Sequence, residues 1–389
     1  MVPVELITGT CINILGGFYL NLRIIIQFIK KEIILTIAIV LAIISMIFVH
    51  PNTQYFSYID FSVLGILFCL MVVVAGFMEL GIFDFISARL IIKSKSVKLL
   101  VILLVNCVFF FSMLVTNDVV LIAFVPITIG IFNFVKQEKL IFIIVIETIA
   151  ANIGSMLTPI GNPQNLYMYS FYHMDILDFL KIVVPVGVIG YLIIMCLILA
   201  SKNGNIEFSL GQKTAILDQK PMFLYYACLF ILCILAVMHT IDYKICVIIV
   251  LISIIIFNQK LLKKVDYGLL LTFVSFFIFV GNIERVNAIK TMLSFLVNGK
   301  AFILSVLSCQ IISNVPAAMM ITRFTNDARS VLVGVNIGGI GTPVASLASL
   351  ISFKLYSKSN GSMPIKYLKV FIIYNVPILL FLTVIFFYL

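Results

Sequence analysis

Polar residues interrupt an apolar stretch at positions 147–166, which reads ETIAANIGSMLTPIGNPQNL. The stretch holds a carboxylate, three asparagines and a glutamine, all of which can bind ions or a polar solute. Pro159 and Pro163 each remove a backbone donor and clash with the preceding turn, and glycines at 154 and 161 weaken a helix further. Irregular backbone at membrane depth persists only where it is buried in protein or lines a wet cavity. The stretch is therefore a candidate binding site, the alternative being a loop at the membrane surface.

A second copy of the pattern NIGxxxTP lies in residues 336–350. Asn152 and Asn336 are 184 residues apart, and so are Thr158 and Thr342. The identical spacing favours a duplicated binding element over a chance surface loop.

An earlier pair of tetrapeptides indicates how the two copies are oriented. The sequence GFME at 76–79 is answered by GNIE at 281–284, 205 residues later. The distribution of Lys and Arg makes the helix ending near Glu79 run inward and the helix ending near Glu284 run outward. The copies are therefore predicted to be inverted repeats, which give many secondary transporters one site that can face either side.

Composition places the chain in a membrane. Of its 389 residues 63% are hydrophobic and 11% charged, with a mean hydropathy of +1.23, whereas a soluble domain is about half apolar and a quarter charged. We expect a multi-pass protein of the plasma membrane, with the lipid bilayer as a partner. The net charge of +10 does not indicate nucleic-acid binding, because Lys and Arg fall in short gaps between apolar runs. The eight cysteines form no Cys-x-x-Cys pair, so neither a metal nor a cofactor is expected.

The apolar runs predict an all-α fold of about ten transmembrane helices. Residues 1–200 form the first predicted repeat and 221–389 the second, joined by a cytoplasmic linker at 201–220 that is the longest polar segment. Residues 4–20 are a weak further candidate span, since polar residues dilute them.

Two polar turns lie between apolar arms. In the first half, the Thr-Asn-Asp turn at 116–118 separates arms 99–115 and 119–135. These are either two full helices with an external tip or a hairpin that enters from the cytoplasm. In the second half, the arm 301–312 before Ser313 has 12 residues, roughly 18 Å of helix. It cannot cross about 30 Å of hydrocarbon, so it is predicted to be re-entrant from outside.

Two acids at predicted membrane depth are candidates for ion coupling. Asp118 is costly at the bilayer centre unless it is paired or faces water. It can carry a coupling proton or pair with a coupling cation, and the alternative is an ordinary loop acid. Glu147 lies about 7.5 Å along a helix from Asn152 and is the second candidate. The alternative is a structural role, in which Glu147 is the partner of a Lys or of a helix terminus. H⁺ or Na⁺ is the expected coupling ion.

The other candidate residues divide into two groups by chemistry. Amides and unwound carbonyls coordinate cations in such folds, and the half-helix that begins near Asn162 offers N-terminal amides to an anion. Besides the two acids, the cation-coupling candidates are Thr116, Asn117, Asn152, Gly154, Ser313, Asn314, Asn336 and Gly338. The substrate-binding candidates are Thr158, Gly161, Asn162, Gln164, Asn165, Thr342, Pro343 and Ser346.

The run ANIGSMLTPIGNPQNL, with TND upstream and SNVP and a second TP downstream, resembles the ion transporter superfamily. That group contains citrate and dicarboxylate carriers, arsenite permeases and sodium/proton antiporters. The resemblance extends from about residue 60 to the C-terminus. It implies two re-entrant hairpins and two unwound helices, in a homodimer whose transport domains move as elevators. It also implies a small carboxylate or an inorganic oxyanion as the solute.

By the same resemblance, Thr116-Asn117-Asp118 and Ser313-Asn314-Val315 occupy the two hairpin tips. Dicarboxylate carriers usually have Ser-Asn-Thr at both tips, and here neither third position is Thr. The Asn-Asp tip is similar to arsenite permeases, whereas GNPQN is similar to citrate-transporter-like permeases. The alternatives to anion transport are therefore arsenite or antimonite efflux and Na⁺/H⁺ antiport.

Other functional classes fit the sequence less well. An intramembrane aspartyl protease needs two facing Asp residues, and Asp118 has no second one, since Gly81-Ile82-Phe83-Asp84 misses the expected GxGD by one glycine. A channel requires rings or continuous polar faces rather than two isolated broken helices. A transporter is the predicted class, and no enzymatic activity is expected.

Overall fold

The computed structural model of the protein describes residues 32–94, 96–132, 135–201 and 220–388. The weak candidate span at 4–20 and nearly all of the predicted linker at 201–220 lie outside the described residues. Within the described ranges the chain is helical and contains no β-strand, which confirms the predicted all-α class.

The described residues form eighteen α-helices, numbered in chain order. The first nine are α1 (Ile33–Phe48), α2 (Tyr55–Tyr58), α3 (Phe61–Glu79), α4 (Ile82–Lys93), α5 (Val97–Phe111), α6 (Asn117–Ile131), α7 (Gln137–Ser155), α8 (Pro163–Phe171) and α9 (Ile176–Ala200). The second nine are α10 (Lys220–Val237), α11 (Tyr243–Asn258), α12 (Tyr267–Arg285), α13 (Asn287–Val297), α14 (Ala301–Ile312), α15 (Asn314–Thr322), α16 (Ala328–Gly338), α17 (Leu347–Ser357) and α18 (Pro364–Tyr388). A short 3₁₀ turn, Gln259–Lys264, follows α11.

Six of these helices are long and apolar enough to cross a membrane: α3, α9, α10, α11 with its 3₁₀ turn, α12 and α18. A seventh span is counted if α13 and α14, which meet at 111°, are taken as one bent element. Three shorter apolar helices, α1, α5 and α6, add to these. The predicted multi-pass membrane protein is confirmed.

Helices α4 and α13 were not predicted from the sequence. Each follows one of the matched tetrapeptides, and Ile82 and Asn287, where they begin, are separated by 205 residues, as the tetrapeptides are. Both are short, with 12 and 11 residues, and polar positions interrupt their apolar ones, so neither reaches the length that marks a spanning helix.

The described residues divide into two compact units, the smaller of which contains residues 32–59 and 266–286. In this smaller unit, α12 packs along α1 and touches α2. Asn282 on α12 donates hydrogen bonds of 2.9 Å to the Ser45 hydroxyl and to the Tyr55 hydroxyl. The Tyr55 hydroxyl in turn donates to the carbonyl of Val49 at the end of α1. These bonds fix the depth of α12 against its neighbours within this unit.

The larger unit contains the described residues within 60–265 and 287–388. Its centre is α7, nearly every residue of which is buried from Leu140 to Ser155. Helices α5, α6, α9, α17 and α18 all pack on α7. Because α7 is covered on all sides, its polar residues can be stable only with partners inside the protein.

Two helices are interrupted in this unit where the sequence predicted breaks. The first gap, between α7 and α8, contains Thr158 and Pro159, and the second, between α16 and α17, contains Thr342 and Pro343. The two polar turns also separate helix pairs: α5 from α6, and α14 from α15.

Packing follows the same plan in both halves. Helix α5 packs along α7, and α14 packs along α16. Across the halves, α6 packs on α17 and α15 packs on α8. Each hairpin therefore contacts the first half-helix of its own repeat and the second half-helix of the other one.

Candidate functional site

At the first break, asparagine side chains form hydrogen bonds with backbone groups that have no partner within a helix. Asn162 caps α8 by accepting a 2.9 Å bond from the Asn165 amide N–H. The Asn165 side chain donates to the carbonyls of Met156 at 3.1 Å and Thr158 at 3.2 Å. Carbonyls freed by a helix end need such partners when they are buried, so Asn165 stabilises the unwound loop.

Close backbone packing at this break requires glycine at two positions. A Cβ on Gly161 would lie 2.2 Å from the Ser155 carbonyl oxygen. A Cβ on Gly154 would lie 2.1 Å from the Phe109 carbonyl oxygen of α5. Both glycines were predicted as site residues, and the structure gives each of them a packing role.

At the second break, a glutamine side chain forms the corresponding hydrogen bonds with the backbone. Gln310 on α14 donates at 2.6 Å to the carbonyl of Gly338, where α16 ends, and accepts at 2.8 Å from the Thr342 amide. The backbone carbonyl of Gln310 accepts a bond from the Thr342 hydroxyl at 3.3 Å. Ser346 precedes α17, and Pro343 is half-buried. Gln310 was not singled out from the sequence, because a lone glutamine in an apolar arm has no pattern to mark it.

Each hairpin tip is bonded to one of the breaks through its main chain. The Asn117 N–H donates to the Gly161 carbonyl at 3.1 Å, and the Asn314 N–H donates to the Ala345 carbonyl at 2.9 Å. The two acceptors are 184 residues apart, which is the spacing of the duplicated motif. Each tip asparagine also accepts a bond from the next amide in its helix, at 3.0 Å and 2.9 Å.

The tips differ in backbone conformation. Ser313 has φ +74° and ψ 161°, a conformation that a non-glycine residue adopts only when its surroundings hold it there. Thr116 at the first tip has an ordinary φ of −62°. The second tip is therefore the strained one of the pair.

The two motif asparagines each reach across to the other repeat. Asn152 accepts a 3.0 Å bond from the Ser346 hydroxyl and donates to the Ser349 hydroxyl at 3.4 Å. Asn336 accepts from the Asn162 amide at 3.4 Å and donates to Asn165 at 2.8 Å. Subtracting the 184-residue spacing from 346 and 349 gives 162 and 165. The two sets of contacts are therefore equivalent. Each motif asparagine bonds, in the other half of the chain, the residues that correspond to those bonded by its counterpart.

A tip asparagine bonds a motif asparagine directly in one repeat. The Asn117 side chain donates to Asn152 at 2.9 Å. Among the described residues no hydrogen bond joins Asn314 to Asn336, and Asn314 lies against Gly339, where an added Cβ would be 3.2 Å from its amide nitrogen. Ser349 was missed from the sequence, although the pair Asn162/Asn165 at the 184-residue spacing points to it.

The cluster is closed to solvent. Exposed fractions lie between 1% and 5% for six residues, Asn117, Asn152, Asn162, Asn314, Asn336 and Ser346. Gln164 and Ser313 are also buried, and Gly338 is buried beside Cys309. Thr116, Asp118, Thr158 and Thr342 are half-buried at its edges.

The two acids have different surroundings. Asp118 lies in the first turn of α6 and is half-buried. Glu147 lies in the middle of α7 with no exposed surface, and its Oε1 accepts a 2.6 Å bond from the Thr128 hydroxyl. The partner of Glu147 is therefore a hydroxyl rather than a lysine or a helix terminus.

Four helix N-termini meet at the cluster. Helices α6, α8, α15 and α17 begin at Asn117, Pro163, Asn314 and Leu347, next to residues that the bonds above connect. A helix N-terminus carries a partial positive charge and free N–H groups, which favour an anion. Helices α7 and α16 end at the same cluster, and the carbonyls at a helix C-terminus favour a cation. The arrangement suits an anion and a cation held close together.

Comparison with known proteins decides the family. A family model described as citrate transporter matches residues 22–329. The chain belongs to the citrate transporter family. An uncharacterized transporter of Methanocaldococcus jannaschii is 33% identical over 312 residues, 80% of this chain and 84% of that protein.

Other relatives have lower sequence identity to this member of the citrate transporter family. The inner membrane protein YbiR of Escherichia coli is 26% identical over 304 residues, 76% of this chain and 80% of that protein. The silicon efflux transporter LSI3 of Oryza sativa subsp. japonica is 29% identical over 144 residues, 37% of this chain and 30% of that protein. The predicted superfamily is confirmed, and the protein is a multi-pass membrane transporter.

Proposed function

We propose that the protein is a secondary active transporter that moves a small anion, a carboxylate or an inorganic oxyanion, across the cytoplasmic membrane. The observation that carries this proposal is the meeting of four helix N-termini at a buried cluster of amides and hydroxyls. None of the eighteen candidate residues is Lys or Arg. The positive ends of the helices therefore supply the charge that an anion requires.

The proposal includes coupling to H⁺ or Na⁺. Helices α7 and α16 end at the cluster, and Asn117 and Asn152 add amide oxygens. Oxygen ligands of this kind suit a hard monovalent cation. A cation beside the anion lowers the electrostatic cost of moving both through the bilayer.

The proposal also includes inverted repeats, covering residues 1–200 and 221–389, with re-entrant hairpins. The exchanged contacts of Asn152 and Asn336 support a pseudo-two-fold axis between the repeats. The arms α5 and α6 have 15 residues each, about 22 Å of helix. This length falls short of about 30 Å of hydrocarbon, which favours a hairpin over two full spans. An elevator movement in a homodimer completes the proposal.

Thermal unfolding of the purified protein tests the proposed substrate. We expect a raised unfolding midpoint with at least one of citrate, succinate or sulfate, and a larger shift when sodium is added or the pH is lowered. A ligand that binds the native state stabilises it by RT ln(1 + [L]/Kd), about 2.7 kcal/mol at a concentration of 100 Kd. Labelled solute uptake into proteoliposomes then measures transport of the solute that binds.

A matched pair of variants locates the binding site. Asn162→Ala removes the cap of α8 at the cluster, and we expect it to abolish the ligand-induced shift. Asn375→Ala changes a buried asparagine of α18 that donates to the Phe371 carbonyl one turn earlier, and the shift is expected to remain. No shift with any of the three anions, in the wild type and at all conditions, would contradict an anion site.

Arsenite or antimonite efflux is the second candidate. Arsenous acid is neutral near neutral pH, and the lack of Lys and Arg among the candidate residues suits a neutral solute as well. A shift with arsenite and none with the three anions would favour this candidate.

A further inference from the structure

Glu147 is a buried acid that the binding cluster does not use. It lies ten residues into α7, away from either helix end, and has no exposed surface. Its Oε1 accepts a bond from Thr128, and its Oε2 has no hydrogen-bond partner among the described residues. Burying a carboxyl in this position costs free energy. Its presence is therefore not explained by contact with water.

The second repeat shows that packing does not require this acid. At the 184-residue spacing, Glu147 and Thr148 correspond to Val331 and Leu332 on α16. Both of these apolar residues are fully buried. The binding asparagines are duplicated, whereas the carboxyl occurs once. A helix in the equivalent position is therefore stable with an aliphatic side chain there.

A chain of buried hydroxyls begins at the residue after Glu147. Thr148 and Ser352 on α17 share a 2.6 Å hydrogen bond, and Ser352 shares a 2.9 Å bond with the hydroxyl of Tyr367 on α18. The Thr148 hydroxyl also donates to the Ile144 carbonyl at 2.7 Å, so Ser352 is the donor in the first bond. The three hydroxyls therefore form a chain that ends on a main-chain carbonyl of α7.

The hydroxyl chain leads away from the cluster toward the lysine-rich end of the unit. The rings of Tyr367 and Tyr356 stack with centroids 5.1 Å apart. Tyr356 donates at 3.0 Å to Gln137, the first residue of α7. Lys366 next to Tyr367 forms an exposed ion pair with Glu138. The Lys and Arg distribution places this end on the cytoplasmic side.

We propose that Glu147 is a proton-binding site that loads and releases one proton in each transport cycle. In the loaded state the carboxyl O–H bond is intact and the group is neutral. On release that bond breaks, the proton passes to water when the transport cycle opens the site, and the carboxylate keeps its bond from Thr128. No oxidant or further reactant is needed. The proposal deepens the proposed function, on which it rests, by naming H⁺ as the coupling ion.

The groups around Glu147 are compatible with the binding and release of a proton. Tyr367 on α18 is a titratable side chain that interacts electrostatically with Glu147, and α6 contributes the Thr128 hydroxyl that is bonded to it. Helices α5 and α9, also packed on α7, contribute apolar residues to the surrounding core. Asp118 differs, because the first turn of a helix already stabilises an acid.

Infrared difference spectroscopy on the purified full-length protein tests the site without a substrate. Between acidic and alkaline buffer we expect the carboxylic-acid band of one buried group to disappear in the wild type. Glu147→Gln should lack this band change, and Thr128→Val should retain it at a shifted frequency. Glu138→Gln is the matched control, because it removes an exposed acid from the same helix, and it should keep the band. The same band change in Glu147→Gln as in the wild type would overturn the proposal.

Transport assays separate this proposal from the proposed function. With citrate as the probe, Glu147→Gln should retain counterflow of label without a gradient and lose accumulation driven by a pH gradient. Ser359→Ala, which removes a hydroxyl bonded within its own turn, is the control and should retain pH-driven uptake. Full pH-driven accumulation in Glu147→Gln would overturn the proton site. If the wild type moves none of the anions, the proposed function fails, while the infrared band still decides the role of Glu147.

Discussion

Replacing Gly154 by alanine should destabilise the protein through a backbone clash. The new Cβ would lie 2.1 Å from the carbonyl oxygen of Phe109 and 2.3 Å from the Ser112 hydroxyl. Ordinary contacts to a Cβ begin near 3.4 Å, so α5 must move by about 1 Å. Overpacking of this kind costs about 1–3 kcal/mol, and because the obstacle is backbone rather than a flexible side chain, we expect about 2 kcal/mol.

Gly130 provides a matched control for this substitution. Like Gly154, it lies one residue before the end of its helix, but an added Cβ would meet nothing within 4 Å. Gly130→Ala should therefore be neutral or stabilising by up to about 1 kcal/mol through helix propensity. Thermal and denaturant unfolding followed by circular dichroism measures both variants. Equal stability of the two alanine variants would refute the close approach of α5 to α7.

Three further predictions concern the binding cluster. Asn117→Ala and Asn314→Ala should each abolish transport while leaving the fold intact, because the Asn117 side chain bonds Asn152 and the Asn314 side chain lies beside Gly339 at the second break, and full uptake in either variant would show that its side chain only caps a helix. Asp118→Asn should keep both solute binding and pH-dependent uphill accumulation, because the coupling proton is assigned to Glu147, and loss of the pH dependence in vesicle uptake would assign the proton to Asp118 instead. A double-mutant cycle of Asn165→Ala and Asn336→Ala should give a coupling energy of about 1 kcal/mol in unfolding experiments, since their side chains share a 2.8 Å bond, and strict additivity would argue against the exchanged contacts.

The positions of the helix breaks could be predicted from the sequence. Proline and glycine have local effects on the backbone, so Pro159 and Gly161 marked a break without any knowledge of the tertiary structure. The apolar composition similarly predicted membrane helices. Helices α4 and α13 were missed because they are short and partly polar, and a hydropathy pattern does not distinguish such helices from loops.

The contacts within the site depend on tertiary structure and were predicted less well. The duplicated motif indicated that Asn152 and Asn336 belong together, but not that each bonds the other repeat's second half-helix. Which atoms meet depends on how far each helix is rotated about its axis, and spacing along the chain does not specify this. Glu147 shows the same limit, because Thr128 is close to it only through the packing of α6 on α7.

The convergence of helix ends has a consequence for how this transporter family can diversify. If main-chain dipoles supply the positive charge, substitutions in the cluster can change its size and hydrogen-bonding pattern while its electrostatic potential stays nearly constant. The repeats already differ in this manner, with Asn162 and Asn165 in one and Ser346 and Ser349 in the other. Replacing one uncharged side chain by another can then change which solute is transported, among solutes of equal charge and different shape. No evolutionary intermediate then has a buried charge without its counter-ion.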